Sequence, residues 1–583
     1  MILRYLQKRD WILVGVIVLL IMAQVYLDLR IPDYMTSITS IISGGGTAAQ
    51  VMDEGWKMIA CAFLSLLSAI FTGYLAAWIA ASLARRLREK EFDRVESFAA
   101  VDIGRFSTAS LITRSTNDIT QVQTAVAMGL QVIIKAPILA VWAIYKISSK
   151  SWQWTAVTGV AILILALGVI ILLYLVFPKF RKVQSLTDNV GRVLGEGLKG
   201  LRVVRAYNAE HYQQDKFDKA NRDLTTTTLF TSRAMSPLMP VMTAVMSILT
   251  LSIYWIGSYL INDAGTVALQ YSLFSDMVVF SSYAMQVVMA FLMLVIIFMI
   301  VPRASVAAKR IEEVIDTEPS ISDGPVTEAP IGHEGEVEFR HVGFKYPGAA
   351  DYVVRDVSFT VHRGETVAFI GSTGCGKTTL LNLIPRFYDV TEGEVLVDGV
   401  DVREYTQEAL RRKLGYVPQQ AVMFTGTVEE NIRYGDLGAE RTATEVQQAV
   451  TIAQAADFIG KLDGGLGGHV AEGGTNFSGG QKQRLSIARA VCRQPEIYLF
   501  DDTFSALDYQ TDRALRAALK QETAGTTTMV VAQRIGTIME ADSIIVLDNG
   551  KVVGIGTHRE LLQSCPVYRE IAVSQLSAEE LGL

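Results

Sequence analysis

Six stretches of this 583-residue chain are apolar for long enough to cross the hydrocarbon core of a bilayer, which takes about 20 helical residues. They run over Trp11–Leu29, Met58–Leu83, Val126–Ile147, Trp154–Phe177, Leu238–Ile261 and Leu273–Val301. In lipid every backbone N–H and C=O needs a partner within the structure, so runs of this length read as membrane-crossing helices. The first comes after Arg4, Lys8 and Arg9, as a secretory leader would. It continues into DLRIPDYM without a small-residue cleavage site, so it reads as a retained anchor.

Charge then sets the orientation. The connections near Ser43–Gly55, Ser149–Ser151 and Asn262–Ala268 are short, while those after the second and fourth stretches are long and polar. One long connection carries Lys and Arg from Arg85 to Arg114, and the other from Lys179 to Arg233. The short ones together hold only Lys150, with Lys57 and Lys146 at their borders. Positive residues stay on the cytosolic side, so both long connections are expected there, and six crossings place both termini there too. The expected location is a plasma membrane, crossed several times.

Past the sixth stretch the pattern changes. A helix is expected to continue to Ile315, then a turn-rich acidic linker over 316–335 (TEPSISDGPVTEAPIGHEGE). EVEFRHVGFKY then opens an alternation of strands and helices, the pattern of an α/β nucleotide-binding domain. The expected architecture is therefore an all-α six-helix membrane domain over 1–315, a linker, and an α/β P-loop NTPase domain over 336–583. A net charge of −6 argues against nucleic acid as a partner. Cys61, Cys375, Cys492 and Cys565 are too scattered for a disulfide framework or a zinc site.

The sharpest chemical motif is GSTGCGKTT: Gly371, Ser372, Thr373, Gly374, Cys375, Gly376, Lys377, Thr378 and Thr379. It comes after the strand-like ETVAFI and leads into a helical pattern, the context of a phosphate-binding loop. Its glycines let backbone N–H groups curl around phosphates, Lys377 neutralises the outer ones, and Thr378 is a ligand for Mg²⁺. ATP and Mg²⁺ are the expected cofactors.

Downstream of the loop the chain resembles the ATP-binding-cassette family. NFSGGQKQR at 476–484 is similar to the family signature, with Ser478, Gly479, Gly480 and Gln481 in the signature positions. IYLFDD at 497–502 resembles a Walker B strand ending in the metal-associated Asp501. SALD ends in Asp508 as a D-loop does, Gln419 matches the Q-loop glutamine, and Tyr346 stands where the family stacks an aromatic ring on adenine. With six helices ahead of these motifs, the chain is identified as similar to half of an exporter-type transporter. The resemblance implies a dimer in which each ATP lies between one subunit's P-loop and the other's signature. It also implies coupling helices in the long connections, for which Ser107–Thr116 and Ala209–Phe217 are candidates.

Two positions depart from the family. Asp502 comes after Walker B where the family has Glu, and Gln533 in VVAQRI replaces the switch histidine. An aspartate carboxylate ends about an ångström short, a displacement that can cost about 10²-fold in rate. Glutamine cannot titrate or become a cation. The expectation is a site that binds ATP and hydrolyses it poorly, in a heterodimer whose partner supplies the Glu and His. The resemblance is to the degenerate-site subunit of bacterial multidrug exporters, with small amphipathic or hydrophobic compounds as cargo. The rival readings are lipid, peptide or siderophore transport, the last possible in the inward direction, and an ATP-sensing regulator that pumps nothing. In the membrane half, Lys135 is an ionisable residue at depth, and Asp28, Arg30 and Asp33 are expected to form a mutual salt network.

Overall fold

The computed structural model describes residues 2–148, 152–436, 441–577 and 581. They form two compact units, one of residues 1–95 and 109–317, the other of 96–108 and 318–583.

The first unit is helical. Each of the six apolar stretches lies in a helix long and apolar enough to cross a membrane: Lys8–Ser43, Ala48–Glu96, Ile119–Ser148, Trp152–Lys199, Leu238–Asn262 and Val267–Asp316. At 1.5 Å per residue, the 49-residue Ala48–Glu96 extends about 73 Å, more than twice a hydrocarbon core of about 30 Å. The apolar run and its polar extension are thus one continuous rod. Pro32, Pro137, Pro178 and Pro302 sit inside four of these helices.

The turn expected over Ser43–Gly55 is shorter than its polarity suggested. The helix resumes at Ala48 because AAQVMDE is polar but made of good helix formers, and Gln50 Oε1 accepts from the Thr47 N–H at 3.0 Å. The connection Ser149–Ser151, with Lys150, lies outside the described residues. On the inner side of the bundle Ile17, Ile21, Val25 and Leu29 recur every fourth residue and are buried. Trp154, also buried, donates its indole N–H to the Ile253 carbonyl at 3.1 Å. Leu163, Leu167, Ile170 and Tyr174 are exposed, as a lipid-facing stripe would be.

Asp28, Arg30 and Asp33 do not pair with one another as expected. Asp28 accepts from the Ser65 hydroxyl of the second helix and pairs with Lys135 of the third at 3.3 Å. Asp33 pairs with Lys146 at 2.7 Å and accepts from the Tyr283 hydroxyl, while Arg30 donates to Tyr26 at 2.8 Å. Asp28, two residues from Arg30, points away from it, while Asp33, three residues past Arg30 and on its side of the helix, is engaged by Lys146 and Tyr283 of neighbouring helices.

The second unit carries three sheets. β1 (Val337–Phe344), β2 (Val354–Val361), β4 (Glu392–Val397) and β5 (Val400–Asp401) form an antiparallel sheet in the order β2-β1-β4-β5. β3 (Thr366–Gly371), β6 (Leu414–Val417), β9 (Ile497–Asp501), β10 (Thr527–Val531), β11 (Ser543–Asp548) and β12 (Lys551–Gly556) form the larger sheet, ordered β12-β11-β3-β10-β9-β6. It is parallel except for β12. β7 (Gly426–Thr427) and β8 (His469–Val470) make a small ribbon. β9 and β10 are buried along their whole length, as strands covered on both faces must be. Residues 318–335 lie against this unit: Gly324 N–H donates to the Tyr405 carbonyl, and Val326 bridges to Tyr405. Residues 96–108 join them, with the Ser320 N–H and hydroxyl both donating to Asp102 at 3.0 Å. The candidate coupling segment Ser107–Thr116 is therefore divided between the two units.

The Asp28–Lys135 pair yields a test. Asp28→Ala leaves an ammonium unpaired among apolar helices and should cost about 2 kcal/mol of stability. The double change Asp28→Leu with Lys135→Met should recover most of that, as read by thermal unfolding in lipid nanodiscs.

Candidate nucleotide site

Four neighbouring parallel strands of the large sheet deliver the predicted site residues to one edge. β3 runs into the P-loop, β9 ends at Asp501, β10 leads to Gln533 and β6 leads to Gln419. In β9 and β10, Asp501 lies opposite Val531. The carboxyl ends of parallel strands are where an α/β sheet opens a crevice for ligands.

Two glycines are required by the loop itself. Gly371 has φ +155 and a Cβ there would lie 2.1 Å from the Leu547 carbonyl oxygen. Gly376 has φ +100 and its Cβ would lie 2.5 Å from a Val354 methyl. Between them Ser372, Thr373 and Gly374 form an exposed crest, while Cys375 is buried with its sulfur 3.6 Å from Lys377 Nζ. The ammonium of Lys377 folds back over the loop and donates to the Gly371 and Ser372 carbonyls at 2.8 and 2.9 Å. That posture holds a positive charge at the mouth of the loop. Thr378 donates its hydroxyl to Asp501 at 2.8 Å. Burial raises the Asp501 carboxyl above its ordinary value, with Asp502 adding to the effect and Thr378 and Lys377 opposing it. A hydroxyl beside a buried, charge-starved carboxylate is a hard-oxygen pair of the kind that suits Mg²⁺ with phosphate and water completing its shell.

Tyr346 reaches the same region. Its hydroxyl shares a hydrogen bond with Thr379 at 3.1 Å, and its ring meets Phe344 and Tyr388 edge-on at 5.0 and 5.3 Å. Tyr388 was not legible as part of this cluster, since nothing in its local pattern separates it from a core aromatic. Gln419 lies beside Asp502. Its amide donates to Asp502 Oδ2 at 3.2 Å, and the Gln533 amide donates to the same oxygen at 2.7 Å. Asp502 is buried, with φ 46, a left-handed backbone that aspartate tolerates better than most residues.

The signature residues stand apart from this cluster. Ser478 caps the helix Gly479–Arg493, accepting from the Gln481 N–H at 3.3 Å while Gln481 Oε1 accepts from the Ser478 N–H at 2.8 Å. Ser478 and Gly479 are exposed, while Gly480 lies close to the Ala506 carbonyl. Asp508 caps the helix Tyr509–Glu522 by accepting from Thr511 at 2.9 Å, and that backbone bond holds its carboxyl below its ordinary value.

Gly376→Ala should abolish binding of a fluorescent ATP analogue, because both the strained φ and the 2.5 Å approach to Val354 force the loop open. Thiol alkylation at Cys375 should likewise block binding, and added ATP should slow the modification.

The comparisons with known proteins fit this geometry. The ABC transporter family model matches residues 354–505, and the ABC transporter transmembrane region model matches 14–301. An uncharacterized ABC transporter ATP-binding protein of Mycobacterium tuberculosis is 40% identical over 573 residues, covering 98% of this chain and 97% of that protein. An ATP-dependent lipid A-core flippase of Pseudomonas fluorescens is 33% identical over 510 residues, covering 87% and 82%. The solved structure of a bacterial Atm1-family ABC exporter with ATP bound superposes with a TM-score of 0.82 at 25% identity, covering 98% of both chains. The helices, the phosphate loop and these likenesses together establish the chain as a multi-pass membrane protein of the ABC transporter family, an exporter-type half-transporter whose transmembrane and ATP-binding domains are fused and which acts as a dimer.

Proposed function

We propose that this chain is the non-catalytic half of a heterodimeric exporter of amphipathic or hydrophobic compounds, set in a bacterial cell membrane with both termini in the cytosol. The observation that carries this reading is the position of Asp502. Its Oδ2 accepts from both Gln419 and Gln533. The carboxylate that would orient an attacking water is thus short by one methylene and occupied by two amide donors. Neither amide can take up or release a proton.

Binding is a separate matter from turnover. The backbone of the loop and the Lys377 ammonium would hold the phosphates, Tyr346 would pack on the adenine, and Thr378, Asp501 and Gln419 would hold Mg²⁺, which neutralises phosphate charge when bound. The Ser478–Gln481 signature, exposed and capped, would complete the nucleotide site on the partner half, as would the turn ending at Asp508. Closing of the two cassettes on ATP would then switch the membrane helices, and hydrolysis on the partner's side would reset them. A second reading keeps the fold and exchanges the cargo for lipid. It draws on the 33% identity to proteins named as lipid A-core flippases.

ATP turnover tests the reading. The purified chain should bind ATP and hydrolyse it slowly, and Asp502→Glu with Gln533→His should raise turnover by roughly 10²-fold. In a co-expressed pair, Asp502→Ala should leave turnover nearly unchanged. Family-typical turnover by the unaltered chain alone, or loss of the pair's activity in Asp502→Ala, would contradict the heterodimer. Flipping of fluorescent lipid by the pair in vesicles, without export of amphipathic dyes, would favour the lipid cargo.

A further inference from the structure

Glu91 lies in the polar extension of the helix Ala48–Glu96, eight residues past Leu83, where the apolar run ends. It has no exposed surface, and among the described residues neither carboxylate oxygen has a hydrogen-bond partner of good geometry, although Ser115 lies close enough to favour the ionised form. An ionised carboxylate in that position gives up its hydration with little compensation. Beside it are Arg114, Ser115 and Asp118. They belong to a single π-helical turn, Arg114–Asp118, inserted between the helices Thr108–Thr113 and Ile119–Ser148. Such turns are uncommon and are found at hinges and functional positions.

The neighbours are committed elsewhere. The Ser115 hydroxyl donates to the Leu111 carbonyl at 3.0 Å. Arg114 reaches the third helix of the patch, Val267–Asp316, where it donates to Glu313 at 2.8 Å and to the Arg310 carbonyl at 2.7 Å. Arg310 faces the buried Asp118 Oδ2 at 3.3 Å. Three carboxyls, Glu91, Asp118 and Glu313, thus share this patch with two guanidiniums, Arg114 and Arg310. A proton is the smallest species that balances it.

We infer that Glu91 is a proton-binding site whose protonation keeps the Arg114–Asp118 turn packed against the helix Ala48–Glu96, and whose ionisation loosens that turn. Burial pushes the Glu91 carboxyl up to about 7, against the pull of Ser115 and Arg114 and with a further push from Asp118. Below about 4.5, the ordinary value, folded and unfolded chains both hold the proton, and the packing has its full stability. As pH rises towards 7 the unfolded chain ionises first and the packing loses stability, and above 7 the loss levels off because the folded group ionises too. The site would make the joint in the polar extension responsive to pH near neutrality, whichever half of the transporter performs hydrolysis.

The full-length chain in lipid nanodiscs tests this. Wild type should lose melting temperature relative to Glu91→Gln by roughly 2–4 °C as pH rises from about 5 to about 7, with no further divergence above. Amide hydrogen exchange over residues 111–120, corrected for intrinsic rates, should quicken in wild type as pH rises from about 5 to about 7, level off above that, and stay constant in Glu91→Gln. Parallel melting profiles, or exchange in wild type that ignores pH, would overturn the inference. If Glu91→Gln does not assemble, Glu91→Met serves as the neutral variant, and the wild-type exchange profile decides on its own.

Discussion

The constraint behind the membrane half is that lipid offers the backbone no hydrogen bonds. Each apolar run must close its own i to i−4 ladder, and once closed the ladder has no reason to stop at the membrane surface. Ala48–Glu96 and Val267–Asp316 therefore carry on as single helices of 49 and 50 residues. A proline costs such a helix little where a neighbouring helix satisfies the freed carbonyl, as at Pro32, where the Asp28 carbonyl accepts from the Gln286 amide at 3.5 Å. The same rule concentrates interest where the ladder is irregular. Among the described residues the π-helical turn is Arg114–Asp118, and it coincides with the buried, unpartnered Glu91.

The ATP-binding unit is organised by sheet order instead. Residues more than 160 positions apart in the chain, from Gly371 to Gln533, meet because β3, β10, β9 and β6 are consecutive neighbours and parallel. Their carboxyl ends face the same way, so the phosphate loop, the Asp501–Asp502 pair, Gln533 and Gln419 converge although they are far apart in sequence. The edge fixes only which residues can meet. Which hydrogen bonds they make depends on side-chain reach, and there Asp502 is decisive. Its short carboxylate is within range of both amides.

Much of this was legible from the sequence. Six long apolar runs have no other stable solution in a membrane, and the loop Gly371–Thr378 carries its own glycine and lysine requirements, so the elements and the phosphate site came from local pattern. What depended on packing between distant segments did not. Asp28 and Asp33 look like partners of Arg30 because they are near it in sequence, yet each pairs with a lysine of the third helix. Gln419 is named by its motif, but the hydrogen bond from its amide to Asp502 is not. Glu91 is invisible in a run of charged residues, because a solvated face and a buried acid have the same composition. Only the packing of three helices around it separates the two.

The exposed signature and the crowded Asp502 are what the proposed uneven division of work within one chain rests on. Ser478 and Gly479 are free of contacts that would bury them, and the capping box formed by Ser478 and Gln481 keeps that helix start in shape without any ligand. The signature is therefore ready to meet a nucleotide held by another subunit. The carboxylate that should act on the nucleotide of its own loop is, by contrast, engaged by Gln419 and Gln533. Freeing it would require breaking two hydrogen bonds and still leave it one methylene short. A symmetric dimer would repeat that handicap in both sites. Under the proposed pairing, a chain that keeps the longer acid and a titratable switch residue would turn the same geometry into one holding site and one working site.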